Sequence, residues 1–292
     1  MTIVAVGDLM VDVVAAAAEP LAHASDTEAR VRWTGGGAAA NVAAWLASQD
    51  VGVALVSRAG DDLAGRGAVA ELRAAGVATR VTLDPARATG TCVVVVGADG
   101  ERTMLPDRGA NLALAPGDLP AELWAPGNHL HLSGYVLLHD GPRAAGLAAL
   151  ERARAAGMTI SVDPASAAPL RACGPERVRE WIGRVDALLP NVDEARALTG
   201  ESDPEAAGRA LATQVGEVVV TLGADGALWT DGHDVVFADA PRGVEVVDAT
   251  GAGDAFAAGW LAAWRAGATP AAALSAGCAL GARAVARAGA RP

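Results

Sequence analysis

Short runs of contiguous apolar residues alternate along this chain with longer Ala-rich stretches of helical character. The short runs are Ile3 to Val6, Val53 to Val56, Leu130 to Leu132, Thr159 to Val162, Ala187 to Leu189 and Val218 to Leu222. Apolar at successive positions, they suit strands covered on both faces, as in a parallel sheet. Between them helices are expected at about 38–49, 62–75, 142–156, 193–199, 204–215, 254–266 and 270–288. Strands alternating with helices predict an α/β fold, a central mostly parallel sheet flanked by helices.

Two segments break that rhythm. In Ala29-Arg30-Val31-Arg32-Trp33 apolar and basic residues alternate, as in a strand with one wet face. Thr91 to Val96, a turn at Ala98-Asp99-Gly100, and Glu101 to Leu105 predict a hairpin. These pieces, in segments of about 12–34 and 91–108, are expected to form a small antiparallel β lid on a single domain spanning 1–292. No internal repeat or low-complexity linker divides the chain.

Composition narrows the classes. With 52% hydrophobic and 20% charged residues, the chain can bury a sizeable core and is not disordered as a whole. Asp and Glu number 34 against 23 basic residues, a formal charge of −11, so a nucleic-acid backbone is repelled and is not an expected partner. All 23 basic residues are arginine. A lysine P-loop and a lysine Schiff base are therefore excluded, and phosphate chemistry has to use backbone amides, arginine or metal. Cys92, Cys173 and Cys278 are too few and too scattered for a disulfide framework or zinc cluster, which fits a reduced, cytoplasmic protein. No apolar run approaches the roughly 18 residues of a membrane span, and Met1-Thr2-Ile3-Val4 lacks the basic region of a signal peptide.

The most informative stretch is Val246-Val247-Asp248-Ala249-Thr250-Gly251-Ala252-Gly253-Asp254-Ala255-Phe256. A β-rich run (Val235 to Phe237, Val244 to Val247) ends, two glycines flank an alanine, and a helix begins. N–H groups at a helix N-terminus lack intrahelical partners and lie at the positive end of the macrodipole, where an anion can sit. Asp254 falls in the first turn of that helix. A carboxylate beside an anion site suits phosphoryl transfer, because it can accept a hydroxyl proton while the amides stabilise the transferred group. A tight turn followed by a favourable first-turn acid would produce the same letters. A dinucleotide fingerprint is excluded, since Phe256 stands at the third glycine position.

Four further constellations carry weaker signals. Pro190-Asn191-Val192-Asp193-Glu194 follows a strand; Asn191 and Glu194 can hold a metal through water, or form a capping box. Gly35-Gly36-Gly37-Ala38-Ala39-Ala40-Asn41 opens a helix and lets backbone approach a ligand, or is a flexible turn. In Gly7-Asp8-Leu9-Met10-Val11-Asp12, acids at a strand's carboxyl end can grip sugar hydroxyls, or are solvated. Thr221-Leu222-Gly223-Ala224-Asp225-Gly226 is a nucleotide edge or a hairpin turn. His129 and His131 share one face of a strand and are structural or near the site, not metal ligands.

Together and in this order, GGGAAANVA (Gly35 to Ala43), NVDE (Asn191 to Glu194) and DATGAGDAF (Asp248 to Phe256) resemble the ribokinase-like (PfkB) family of carbohydrate and nucleoside kinases. The resemblance covers nearly the whole chain. It implies ATP and Mg²⁺ as cofactors, with K⁺ as a further candidate, and a small-molecule sugar or nucleoside as acceptor. By position it makes Asp254 the catalytic base, with Gly251, Ala252 and Gly253 as anion hole. Asn191 and Glu194 would organise Mg²⁺, while Thr221, Gly223 and Gly226 would line the nucleotide site. Asp12, Gly36, Gly37 and Asn41 would hold the acceptor, and Asp248 and Thr250 fall near a monovalent-cation site. Amides and dipole at the helix N-terminus are expected to keep Asp254 ionised, a modest base.

The departures concern the acceptor. Ribokinase itself resembles GGKGAN in the glycine loop, where this chain has Ala38, and carries a glutamate where this chain reads Ser133-Gly134. Both count against ribose. Arg108 can meet a charged or polyhydroxylated acceptor, or lie on the surface. The leading expectation is an ATP-dependent kinase acting on a hydroxyl of a small sugar. A nucleoside kinase is the alternative, with Trp33 or Tyr135 to stack a base, and a catalytically silent sugar-binding regulator is the third. Relatives usually continue past Gly289-Ala290-Arg291, so a last helix is expected to be short or missing. Exposed lid edges point to a homodimer through the lid.

Overall fold

The computed structural model describes residues 1–97 and 102–292, so the expected turn at Ala98-Asp99-Gly100 lies outside the described residues. The chain runs β1 (Ile3–Val6), β2 (Met10–Ala17), β3 (Ala29–Gly36), α1 (Ala38–Ala47), β4 (Val53–Gly60), α2 (Leu63–Ala74), β5 (Ala78–Asp84), β6 (Gly90–Val96) and β7 (Arg102–Asp107). It continues through β8 (His129–Ser133), α3 (Tyr135–Leu138), α4 (Asp140–Ala155), β9 (Thr159–Asp163), α5 (Ala167–Cys173), α6 (Pro175–Ile182), β10 (Ala187–Leu188), α7 (Val192–Thr199) and α8 (Pro204–Ala212). β11 (Glu217–Thr221), β12 (Ala227–Thr230), β13 (Val235–Ala238), α9 (Ala252–Arg265) and α10 (Pro270–Val285) complete it.

The contiguous apolar runs make a sheet buried on both faces. Its order is β13-β12-β11-β10-β9-β8-β1-β4-β5, parallel from β11 to β5, with β12 and β13 antiparallel at one edge. Along β1, Ile3 and Ala5 enter one apolar core with α1, α2, α9 and α10, while Val4 and Val6 enter a second with α4, α6, α7 and α8. That period of two explains why the run carries no polar residue. A second sheet has the order β3-β2-β6-β7. Its outer pairs are antiparallel and are joined by a parallel pairing of β2 with β6.

Three local expectations change. Val244 to Val247 form no strand; Val246 and Val247 are exposed, and the segment is tied by Val247 N–H and Asp248 N–H to the carbonyl of Val285 at the end of α10. The alternating segment Ala29 to Trp33 is a strand but has no dry face: all five residues are exposed. The small core of the second sheet (Met10, Val14, Cys92, Val94) uses only β2 and β6, leaving Val31, Trp33, Met104 and Leu105 open. Helices α5 and α6 were hidden because Gly174, at φ +90°, ends one and begins the next. No helix follows α10, and no helix among the described residues is long and apolar enough to cross a membrane.

His129 and His131 are fully buried in the large sheet. The Ser161 hydroxyl lies 2.8 Å from His129 Nε2 and 2.8 Å from His131 Nδ1, and Thr159 Oγ1 lies 2.9 Å from His129 Nδ1. Burial lowers both imidazole pKa values, His131 to about 4, so the rings are neutral members of a polar ladder inside the sheet. Replacing Ser161 by Ala strands at least one ring nitrogen; a loss of about 1–3 kcal/mol is expected in urea unfolding, with no change in the pH profile of turnover.

Candidate active site

The strands β1, β8, β9, β10 and β11 end at one edge of the large sheet, where ligands of open α/β sheets bind. There the chain presents Asp8 after β1, Ser133 and Asp163 at the ends of β8 and β9, Asn191 after β10 and Thr221 closing β11. Helices α1 and α9 start at the same edge. Each glycine of the Gly35-Gly36-Gly37 loop, which leads into α1, meets a different constraint. A Cβ on Gly35 would fall 2.1 Å from Arg291 Nη1, and one on Gly36 2.3 Å from Asp12 Oδ1. Gly37 has φ +91°, and a Cβ there would lie 2.6 Å from the Asp8 carbonyl. The loop is a set of close approaches, not a flexible turn.

Asn41, one turn into α1, is buried and donates from Nδ2 to Asp254 Oδ2 at 2.8 Å. Asp254 stands in the first turn of α9, whose N-cap is Gly251 in the left-handed region. A Cβ on Gly251 would meet Ala290 at 2.6–2.7 Å, whereas Gly253 is exposed with open space before it, as an incoming anion requires. The expectation of a modest, readily ionised Asp254 is corrected here. Burial pushes its pKa well above the usual carboxylate range, Asn41 opposes the shift, and the charges of Asp163, Asp8 and Asp12 add to it. The helix dipole loses to desolvation, and Asp254 is the stronger base for it. Asp12 is likewise raised to about 6, by burial first, with Arg291 pulling it back.

A cavity of about 190 Å³ opens in front of Asp254, lined among others by Asp163, Asn191, Glu194, Thr221, Gly251 and Gly253. Asn191 and Glu194 do form the capping box: Asn191 Oδ1 accepts from Glu194 N–H at 2.9 Å, and Glu194 Oε2 from Asn191 N–H at 3.0 Å. Asn191 Nδ2 also donates to Glu194 Oε1 at 2.7 Å. Cap and cavity wall are therefore the same pair of side chains. Asp163 was not singled out from the sequence; its only signal is an acid closing a parallel strand. Burial raises the proton affinity of both Asp163 and Glu194, and the charge of Asp163 raises Glu194 further. No cluster of three or more His, Cys, Asp or Glu capable of caging a metal exists among the described residues. Two hard oxygen donors in need of positive charge fit Mg²⁺, which takes one or two carboxylates and completes its shell with water and phosphates.

Other candidates are placed differently. Gly223 and Gly226 do not line this cavity; they shape the turn from β11 to β12, where a Cβ on Gly226 would lie 2.0 Å from the Ala238 carbonyl. Asp248 is buried: its Oδ1 accepts from Thr250 N–H at 2.9 Å, and its Oδ2 from Gly289 N–H at 3.0 Å and Arg32 Nη2 at 3.3 Å. It knots the loop before α9 to the segment after α10 and to β3. Trp33 is 68% exposed on β3 and lines none of these cavities. Arg108 lies 3.8 Å over the Tyr135 ring, with Nη1 3.6 Å from Asp8 Oδ2, beside a small cavity shared with His139 and Asn111.

The pattern of a pfkB family carbohydrate kinase matches residues 1–292. The chain belongs to the PfkB family of carbohydrate kinases. It is 35% identical over 247 residues to the ATP-dependent ribose-1-phosphate kinase of Halopiger xanaduensis, covering 82% of this chain and 77% of that protein. It is also 35% identical over 246 residues to a fructokinase of Klebsiella pneumoniae, covering 81% and 79%. Among solved structures, an adenosine kinase from Sinorhizobium meliloti superposes with a TM-score of 0.87 at 27% identity, covering 100% of this chain and 95% of that one. A putative ribokinase II from E. coli, in complex with ATP and Mg²⁺, superposes with a TM-score of 0.83 at 25% identity, covering 99% and 94%. As a PfkB kinase the protein is a phosphotransferase of the sugar and nucleoside kinase class, with an alcohol group as acceptor.

Two predictions follow from the carboxylates of this PfkB site. Turnover should fall with decreasing pH as Asp254 takes up its proton, and Asn41→Ala, which removes the bond opposing protonation, should move that limb of the kcat–pH profile to higher pH. Asp12 binds its proton more tightly folded than unfolded, so its ionisation costs stability as pH rises through about 4 to 6. Asp12→Asn should therefore raise thermal stability at pH 7, lose that gain at pH 4, and raise the KM for the acceptor.

Proposed function

We propose that this PfkB kinase transfers the γ-phosphoryl group of ATP, bound with Mg²⁺, to a hydroxyl of a small sugar. The observation that carries the reading is Asp254 on Asn41, placed at the N-terminus of α9 on the wall of the cavity that Asn191, Glu194 and Thr221 also line. The acceptor lies between Asp12, Gly36, Gly37 and Asn41. Asp254 accepts its hydroxyl proton, the hydroxyl oxygen bonds to the γ-phosphorus, and the bond from that phosphorus to the bridging oxygen breaks to release ADP. The N–H groups of Gly251, Ala252 and Gly253 stabilise charge on the group in transit. Asn191 and Glu194 would hold Mg²⁺, which would supply neutralisation of the phosphate charge. No step is routed through K⁺ at Asp248 and Thr250.

The second sheet acts as a lid that excludes water from the acceptor, and the open apolar residues of β3 and β7 are where two copies would pair in a homodimer. A cytoplasmic setting suits three free cysteines. The nucleoside alternative is disfavoured by the aromatics. Arg108 covers one face of Tyr135, the His139 ring stacks with Tyr135 at 6.5 Å, and Trp33 lines none of the cavities described. Arg108 instead favours an acceptor that carries an anionic group, as the name of the H. xanaduensis kinase suggests for that protein.

The test is ADP release from ATP–Mg²⁺ with fructose, ribose, ribose 1-phosphate, other sugars and nucleosides. Acceptor-dependent turnover is expected with a sugar or sugar phosphate, lowered about 10²- to 10⁴-fold by Asp254→Asn. Binding of a sugar without any turnover would overturn the kinase reading in favour of a silent sugar-binding protein.

A further inference from the structure

Arg291 is a buried cation remote in sequence from every motif of the site. Its side chain is 6% exposed, and its guanidinium has three fixed partners. Nη2 donates to the Gly36 carbonyl at 2.7 Å, Nε to Asn41 Oδ1 at 3.2 Å, and Nη1 to Glu71 Oε1 at 3.0 Å. The neighbouring chain delivers it there. Trp45 Nε1 of α1 holds the Ala290 carbonyl at 2.9 Å, and the missing side chain of Gly251 lets Ala290 pack against the start of α9. Gly35, without a Cβ, leaves the space the guanidinium fills.

Two consequences reach the reacting atoms. An amide side chain can face either way, and what decides is its partners. Because Arg291 donates to Asn41 Oδ1, the Nδ2 side must face Asp254; turned over, Asn41 would present an oxygen to a carboxylate. The second consequence is charge. Glu71, which touches Arg291 and is 52% exposed, is the first of its charge partners, and the buried cation also acts on Asp12 and Asp254, for which Glu71 competes. The groups facing Asp254 are Asn41 from α1, Asp163 from β9, Asp8 after β1, Asp12 from β2 and Arg291.

We infer that Arg291 is a positioning residue for phosphoryl transfer: it orients Asn41 on Asp254, pins the Gly36 carbonyl of the acceptor loop and supplies the counter-charge behind Asp12 and Asp254. The inference rests on Asp254 being the base. Arg291→Met should lower kcat about 10- to 100-fold, leave the KM for ATP unchanged because Arg291 touches none of the nucleotide-side residues, and move the acidic limb of the kcat–pH profile to higher pH. Arg291→Lys restores the charge without the three-way fork, so it should return the limb while recovering only part of kcat. A folded Arg291→Met protein with the parent's kcat and limb would overturn the inference.

If Arg291→Met does not fold, Glu71→Gln decides. It removes the competing carboxylate from Arg291, so the limb should move to lower pH, and an unmoved limb overturns the inference. If the parent turns over no acceptor, the proposed function fails and the side-chain amide of Asn41 still reports by NMR. Its signals should titrate at higher pH in Arg291→Met, or in the opposite direction in Glu71→Gln, than in the parent; coincident titrations overturn the inference.

Discussion

Negative charge gathers at the carboxyl edge of the large sheet, and most of what surrounds that edge answers it. The charge of Asp8 adds to the proton affinity of Asp12, Asp163 and Asp254, and that of Asp163 to the proton affinity of Glu194 and Asp254. Left alone, such a cluster would hold its protons more tightly, and the base and cation site of the proposed function need the charged forms. The chain answers with oriented donors. The N-termini of α1 and α9 point at the edge, Asn41 donates to Asp254, and Arg108 and Arg291 approach Asp8 and Asp12 from either side. Charged groups are costly to bury, and a buried charge left without its partner is costlier still. On the proposed reading, nucleotide phosphates with their cation would complete the pairing.

The parts of the site that could be read from the sequence are those whose function needs a local spacing. Gly251-Ala252-Gly253-Asp254 had to be contiguous because a helix N-terminus and its first-turn acid are three or four residues apart. Asn191 and Glu194 are legible for the same reason, and the cap and the cavity wall proved to be one arrangement rather than rivals. The parallel strands were legible because burial on both faces removes polar residues. Asp163 was not, since one acid at the end of a strand looks like any solvated turn. Arg291 was not either: it meets Asn41 across 250 positions of chain, and no pattern of nearby residues encodes that contact.

Errors of sign are more instructive than omissions. The helix dipole was expected to hold Asp254 ionised, and a dipole does contribute at that position, by about 0.3–1 kcal/mol when exposed. Burial among other carboxylates acts the other way and is the larger effect. Burial is a property of the assembled edge, so the segment containing Asp254 could not disclose it. The strand Ala29 to Trp33 failed similarly: alternation predicts a dry face only if something covers it, and these five residues stay exposed.

Lysine is absent from the chain, and the consequence is physical. A lysine beside a phosphate is a mobile point charge, whereas arginine is a rigid planar fork that works best where its partners are fixed. Here Arg291 is fixed by three partners and Arg108 by the face of Tyr135, and neither lines the cavity in front of Asp254. The cavity in front of Asp254 is thus walled by the backbone at the start of α9 and by the acids Asp163 and Glu194. On the proposed reading an anion as highly charged as ATP is not drawn into such a pocket by protein cations. It would enter with its metal, which Asn191 and Glu194 would hold, while the amides at the start of α9 would take the phosphate charge. Positive charge is then strongest only while substrate is bound, which leaves Asp254 free to protonate and discharge as acceptor and ADP come and go.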